Sequence, residues 1–216
     1  MFELDSIKTL HLETSSVCNA ACPMCGREID PKFNKDTDPK SLSLEQIKQL
    51  FNEQFIKNLE YMFMCGNYGD PAAAPECIEI FKYFRQVNNS IRLCMHTNGG
   101  LRNTSWWREL GSVLSKFGDE CYFGIDGLKD TNHIYRVNTD FDKIMKNASA
   151  FIAAGGKAHW EFLVFEYNEH QVEEARRIAS DMGFVGFRTK VSHRMNKPVF
   201  MHLRKTFKPP KGIEYQ

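Results

Sequence analysis

Cys18, Cys22 and Cys25 stand in a C-x3-C-x2-C pattern within the polar loop TSSVCNAACPMCGR, residues 14–27. Three thiolates at this spacing can grip three irons of a cubane cluster, which is ordinarily held by four. The fourth iron then stays open, and an open coordination position serves chemistry where a closed one serves structure. Two other readings of the same residues stand beside this one. The trio could form a zinc site completed by a distant His11 or Cys65, or be unrelated buried thiols. Tight spacing in a loop that also carries Asn19 and Pro23 argues against buried thiols.

A loop of this kind needs rigid elements to present it. The chain has 216 residues, 42% hydrophobic and 12% aromatic, enough for one domain with a sizeable core. The net charge of +1 says nothing about partners. Its distribution says more. Residues 188–213 hold Arg188, Lys190, Arg194, Lys197, Arg204, Lys205, Lys208 and Lys211 and no acidic residue, leaving 20 of the 28 basic residues with all 27 acidic ones in the remainder. The start, MFELD, lacks the basic and apolar runs of a signal peptide, and no apolar stretch is long enough to span a membrane. Seven cysteines without a secretion signal point to a reducing, cytoplasmic setting and to metal or thiol chemistry. Cys65, Cys77, Cys94 and Cys121 are spread through apolar runs and read as small buried hydrophobes.

The elements alternate. Residues 9–14 read as a strand, followed by the cysteine loop and an irregular stretch to about Lys40. Ser43-Leu44-Glu45-Gln46 matches a capping box and opens a helix expected over 44–56. A strand over 60–65 ends at Gly66-Asn67-Tyr68-Gly69-Asp70-Pro71, and Pro75 is expected in the first turn of the next helix. Strand 91–96 closes at Thr97-Asn98-Gly99-Gly100. Thr104 or Ser105 is expected to cap a helix through Phe117, and strand 120–125 ends in Asp126-Gly127. A loop to Asn138, a helix over 141–154, strand 159–165, a helix capped by Asn168 to about Met182 and strand 184–190 complete the series. Six βα units imply a parallel sheet, open or curved into part of a barrel, with ligands gathered at the carboxyl ends of the strands. The four loops that look ligand-binding all fall on that edge.

With these residues in place, the chain resembles the radical SAM enzymes over about residues 7–190. The cysteine motif matches theirs in spacing and in its position after the first strand. The resemblance implies an α/β fold, a partial (β/α)6 TIM-like barrel of parallel strands. It also implies a [4Fe-4S] cluster on Cys18, Cys22 and Cys25, and S-adenosylmethionine bound to the open iron through its amino and carboxylate groups. Tyr68-Gly69-Asp70-Pro71 stands where the family has Gly-Gly-Glu-Pro, the loop that meets the methionyl amino group. Thr97-Asn98-Gly99 resembles the third-strand motif near the cofactor. Gly124-Ile125-Asp126-Gly127 resembles Ser-x-Asp-Gly, with Gly124 replacing the serine. His133-Ile134-Tyr135-Arg136 matches a segment whose arginine meets the methionyl carboxylate. Met24 takes a place where many members have an aromatic ring, and is expected beside adenine or cluster.

The resemblance is strongest to the members whose C-terminal extension carries auxiliary clusters, the SPASM or twitch type, which mainly modify peptides or proteins. It implies reductive cleavage of S-adenosylmethionine to a 5′-deoxyadenosyl radical, a peptide, protein or small-molecule substrate, and an electron donor such as flavodoxin or ferredoxin. No cysteine follows Cys121, so residues 1–190 are expected as the core domain and 191–216 as a basic tail or linker, with the auxiliary-cluster domain absent. Two alternatives accompany this reading: the same chemistry on a nucleotide, sugar or RNA, and a non-catalytic iron–sulfur or zinc module. Glu161 or Phe165 could line the substrate pocket. Cys121 or Tyr122 could be a second hydrogen donor, although packing suits both.

Overall fold

The computed structural model describes residues 6–29, 40–116, 118–192, 194, 203 and 206–211. Most of the irregular stretch before Lys40, the helix end at Phe117 and most of the basic tail therefore lie outside the described residues. Six parallel strands form one sheet in sequence order: β1 (Thr9–Leu12), β2 (Tyr61–Met64), β3 (Arg92–Thr97), β4 (Glu120–Gly124), β5 (Ala158–Leu163) and β6 (Gly186–Lys190). Among the described residues β6 does not pair with β1, so the sheet is a barrel left open on one side. This is the expected partial barrel of βα units.

The helices are α1 (Gly26–Ile29), α2 (Leu44–Leu50), α3 (Glu53–Asn58), α4 (Cys77–Val87), α5 (Thr104–Val113), α6 (Asn132–Tyr135), α7 (Phe141–Ala153) and α8 (Val172–Asp181). Alternation along each strand sends Leu12, Met62, Met64, Leu93, Met95, Cys121, Phe123, Trp160 and Phe162 outward, where the helices bury them. Trp107 of α5 sits fully buried between Phe123 and Phe151 of α7, ring centroids 5.2 and 6.4 Å away. At Gly111 the α5 backbone runs so close to α7 that a Cβ would lie 2.3 Å from the Phe151 carbonyl oxygen. A side chain there would force the two helices apart.

Local polar chemistry moves several boundaries. The expected helix 44–56 is two helices. The capping box at Ser43 and Gln46 forms, but Asn52 adopts extended backbone and its side chain accepts from the Phe55 N–H at 2.8 Å, starting α3 afresh. Pro75 precedes α4 instead of opening it; the proline at a helical start is Pro71, in a 3-10 turn. Asn103, not Thr104 or Ser105, caps α5. Asn168 caps nothing by its side chain. Its amide donates to the carbonyls of Asp126 and Leu163 at 2.9 and 3.0 Å and accepts from Phe165 N–H at 2.7 Å, tying the ends of β4 and β5 together.

The described parts of the tail lie on the body. Phe207 is buried, its ring centroid 5.7 Å from that of Tyr135 and 5.4 Å from that of Phe165. Glu166 N–H donates to the Lys208 carbonyl, and Arg194 donates to the Met24 carbonyl at 2.7 Å. These residues pack behind the cysteine loop, which a solvated linker would not do. At the opposite end of the sheet, the buried Asp119 carboxylate accepts from Arg85 at 2.6 Å and from the Leu93 N–H at 2.9 Å. Arg85→Met strands that carboxylate and is expected to cost about 3–5 kcal/mol in urea unfolding; a cost below about 1 kcal/mol would show that water already screens the pair.

Candidate cofactor site

The cysteine loop is fixed from three sides by backbone hydrogen bonds. Ser16 N–H donates to Lys40 and Leu42 N–H to Thr14, both at 2.9 Å. Asp70 N–H from the β2 loop donates to Val17 at 2.8 Å, and Ala21 N–H donates to Val137 at 3.0 Å. Gly69 makes the second of these approaches possible: a Cβ there would lie 2.0 Å from the Ser15 carbonyl oxygen. The missing side chain thus lets two protein loops meet.

Cys18, Cys22 and Cys25 line a cavity of about 360 Å³ at the carboxyl ends of the strands. Gly69, Asp70, Thr97, Asn98 and Arg136 line it with them. Pro71 and Asp126 are placed behind the wall: Pro71 is buried in its 3-10 turn, and Asp126 is fully buried beneath Arg136. Met24 is fully buried among Tyr135, Phe165 and Phe207 and does not line the cavity, because the loop turns its side chain into that aromatic cluster. Phe165 belongs to the same cluster. Cys77, Cys94 and Cys121 are buried, as their apolar surroundings suggested, and Cys121 is fully enclosed away from the cavity. Cys65 departs from that reading. Strand parity turns it inward, half-buried, onto the cavity.

The concave face of the sheet adds His96, Tyr122, Glu161 and Lys190 to the wall. His96, Tyr122 and His159 stack in register across β3, β4 and β5, with ring centroids 4.6 and 4.5 Å apart. The Tyr122 hydroxyl donates to Glu120 at 2.7 Å. Burial pushes the His96 pKa down, so this imidazole favours the neutral form. Glu161 faces inward and pairs with Arg188 and with Lys190, the latter at 2.7 Å. Burial works against its charge, but the two cations outweigh it and hold the carboxyl below its usual range. Strand alternation alone could have placed Cys65, His96, Tyr122 and Glu161 on one face; what was missing was which face.

Two buried carboxylates organise the rim. Asp70 accepts from Thr97 Oγ1 at 2.9 Å, from Asn98 N–H at 2.8 Å and from Ala72 N–H at 3.0 Å. All three donors are neutral, and burial raises the carboxyl pKa. Asp126 accepts from Leu163 N–H at 2.7 Å and from Arg136 Nε at 2.6 Å. Burial opposes the Arg136 charge, yet Asp126 and Cys22 more than offset it, so the guanidinium stays protonated. Gly124 makes room for this group: a Cβ at 124 would lie 2.4 Å from Arg136 Nη2. The glycine in place of serine is thus the companion of a guanidinium lying across the end of β4.

The residues fit an anionic metal cluster. Cys18 receives the Ala20 N–H at 3.4 Å and the Asn98 amide at 3.5 Å; Cys22 receives an Arg136 N–H at 3.8 Å. Donors aimed at sulfur stabilise thiolates and tune what they bind. Without metal, burial first and Asp70 second push the Cys18 thiol up to about 11. Burial also raises Cys22, against the pull of Arg136. Among the described residues no three His, Cys, Asp or Glu side chains converge as the ligands of one metal ion do.

Comparison with known proteins gives this geometry a family. The model of the radical SAM superfamily matches residues 12–179. No curated protein sequence aligns significantly with the chain. Among solved structures, SuiB from Streptococcus suis bound to the precursor peptide SuiA superposes with a TM-score of 0.64 at 14% identity, covering 84% of this chain and 38% of that one. SuiB bound to S-adenosylmethionine gives 0.65 at 12%, covering 91% and 44%. The enzyme anSMEcpe with bound AdoMet and a peptide gives 0.64 at 17%, covering 84% and 50%. This chain spans half or less of the length of these structures, and identities this low show the shared fold alone. The family match covers most of the chain, including all three cysteines of the C-x3-C-x2-C loop and every strand-end loop up to β5, and on that ground the chain belongs to the radical SAM superfamily.

Proposed function

We propose that this chain is the core of an enzyme that binds a [4Fe-4S] cluster on Cys18, Cys22 and Cys25 and S-adenosylmethionine beside it. It would use them to abstract hydrogen from a peptide or protein. When bound, the cluster supplies one electron that splits the sulfonium into methionine and a 5′-deoxyadenosyl radical. The observation that carries the reading is the shared cavity: three cysteines of a C-x3-C-x2-C loop on one wall, with N–H donors aimed at two of their sulfurs.

The chain's own residues have distinct tasks in this reading. Asn98 braces the loop through Asn19 at 3.0 Å and faces Cys18. Asp70 and Thr97 hold the β2 and β3 loops in register, and Gly69 lets the β2 loop close on the cysteines. Asp126 anchors Arg136 by Nε and leaves its terminal nitrogens toward the cavity, where a guanidinium fork suits the methionyl carboxylate. The open side between β6 and β1 gives a chain-like substrate access to the concave face, and both SuiB and anSMEcpe are described with peptides bound. Reduction would come from an external one-electron donor of the flavodoxin or ferredoxin class. No described helix is long and apolar enough to cross a membrane. Seven free cysteines and an oxygen-sensitive cluster suit the reducing cytoplasm.

Anaerobic reconstitution with iron and sulfide is expected to give about four irons per chain and, with S-adenosylmethionine and dithionite, 5′-deoxyadenosine. Tightly held zinc with no deoxyadenosine would sink the reading. Cys22→Ala is expected to lose both cluster and cleavage, and Cys77→Ala, fully buried beside Met64, to keep both; equal loss from the two would mean the wrong ligands. Gly124→Ser should crowd the Arg136 guanidinium and weaken S-adenosylmethionine binding in equilibrium dialysis while iron content holds. Unchanged affinity would remove Arg136 from the cofactor site.

A further inference from the structure

Two guanidiniums, those of Arg27 and Arg136, line the cavity with the three cysteines. Arg136 is bonded to the buried Asp126. The carboxylate of Asp70, also on the wall, does not pair with Arg27. Asp70 is met by neutral donors, and Arg27 forms no ion pair among the described residues. Arg27 stands two positions beyond Cys25, in the one-turn helix α1, and lines the cavity. Its Nε is buried and finds no acceptor among the described residues.

We propose that Arg27, on the cavity wall with Cys18, Cys22 and Cys25 and without an ion-pair partner among the described residues, sets the reduction potential of the cluster. The proposal rests on the function above. Reduction brings one electron from the external donor into the cluster, with no proton and no bond made or broken. That step adds one negative charge beside the cysteine wall. A fixed cation there stabilises the reduced state more than the oxidised one, as do N–H donors to sulfur. Arg136 is partly neutralised by Asp126, which leaves Arg27 as the cavity guanidinium without a carboxylate partner among the described residues. Lys190, also on the wall, is paired with Glu161.

The test is an EPR-monitored redox titration of the reconstituted full chain, without S-adenosylmethionine, for wild type, Arg27→Met and Arg27→Lys. The expected result is a more negative midpoint in Arg27→Met, a midpoint near wild type in Arg27→Lys, and equal iron content in all three. Equal midpoints in Arg27→Met and wild type overturn the proposal. So does a fall in S-adenosylmethionine affinity with the midpoint unchanged, which would assign the guanidinium to the cofactor's carboxylate. Should Arg27→Met bind less iron, Arg27→Gln against Arg27→Lys makes the same comparison; iron loss in both means a structural arm and also overturns it. A wild-type chain with no reducible cluster overturns the function itself, a result distinct from a cluster whose midpoint ignores Arg27.

Discussion

A carboxylate taken out of water has to be met by hydrogen bonds or a cation. At Asp70 and Asp126 the partners come from the neighbouring strand ends. Asp70 gathers Thr97 and the Asn98 N–H from β3 while its own N–H holds Val17 of the cysteine loop. Asp126 gathers the Leu163 N–H from β5 and the Arg136 side chain. Removing either partner set would leave a charge buried and unpaired, so the strand ends are locked in one arrangement. The cavity inherits its shape from that requirement, and the cysteines inherit their neighbours.

This changes how the two aspartates serve the site. Family resemblance placed both in motifs of the cofactor site. Both are also hydrogen-bonded to protein: Asp126 lies behind Arg136, and Asp70, on the cavity wall, holds β2 to β3. The groups facing the cavity include the sulfurs, Asp70, Thr97, the Asn98 amide, Arg27, Arg136 and the rings of His96 and Tyr122. Positive charge sits near the cysteines, and paired charge, Glu161 with Arg188 and Lys190, sits toward the open side of the sheet. Such a division suits an anionic cofactor at one end and a substrate entering from the other.

The architecture was legible because periodicity and turn chemistry agree at nearly every element. The capping box at Ser43, the glycine-rich strand ends and the C-x3-C-x2-C loop each signal locally. What the sequence hid was tertiary. Asn52 and Asn168 are the same residue type in similar settings, yet one starts a helix and the other cross-braces two strand ends. Gly124 looked like a lost serine, and only the position of Arg136 shows why a side chain does not fit. Met24 was expected at the cofactor, but Phe207, far along the chain, helps form the cluster that takes it. Cys65 resembled its buried neighbours because parity gives two faces without saying which is concave.

The central claim is that three cysteines hold the cluster and leave one iron open for S-adenosylmethionine. Mössbauer spectroscopy of the chain reconstituted with iron-57, recorded with and without S-adenosylmethionine, reads this directly. The account predicts that about one iron in four changes its signal when the cofactor is added, since only the iron without a thiolate has a free position. Four irons that all ignore the cofactor, as a fourth ligand such as Cys65 would produce, would contradict it.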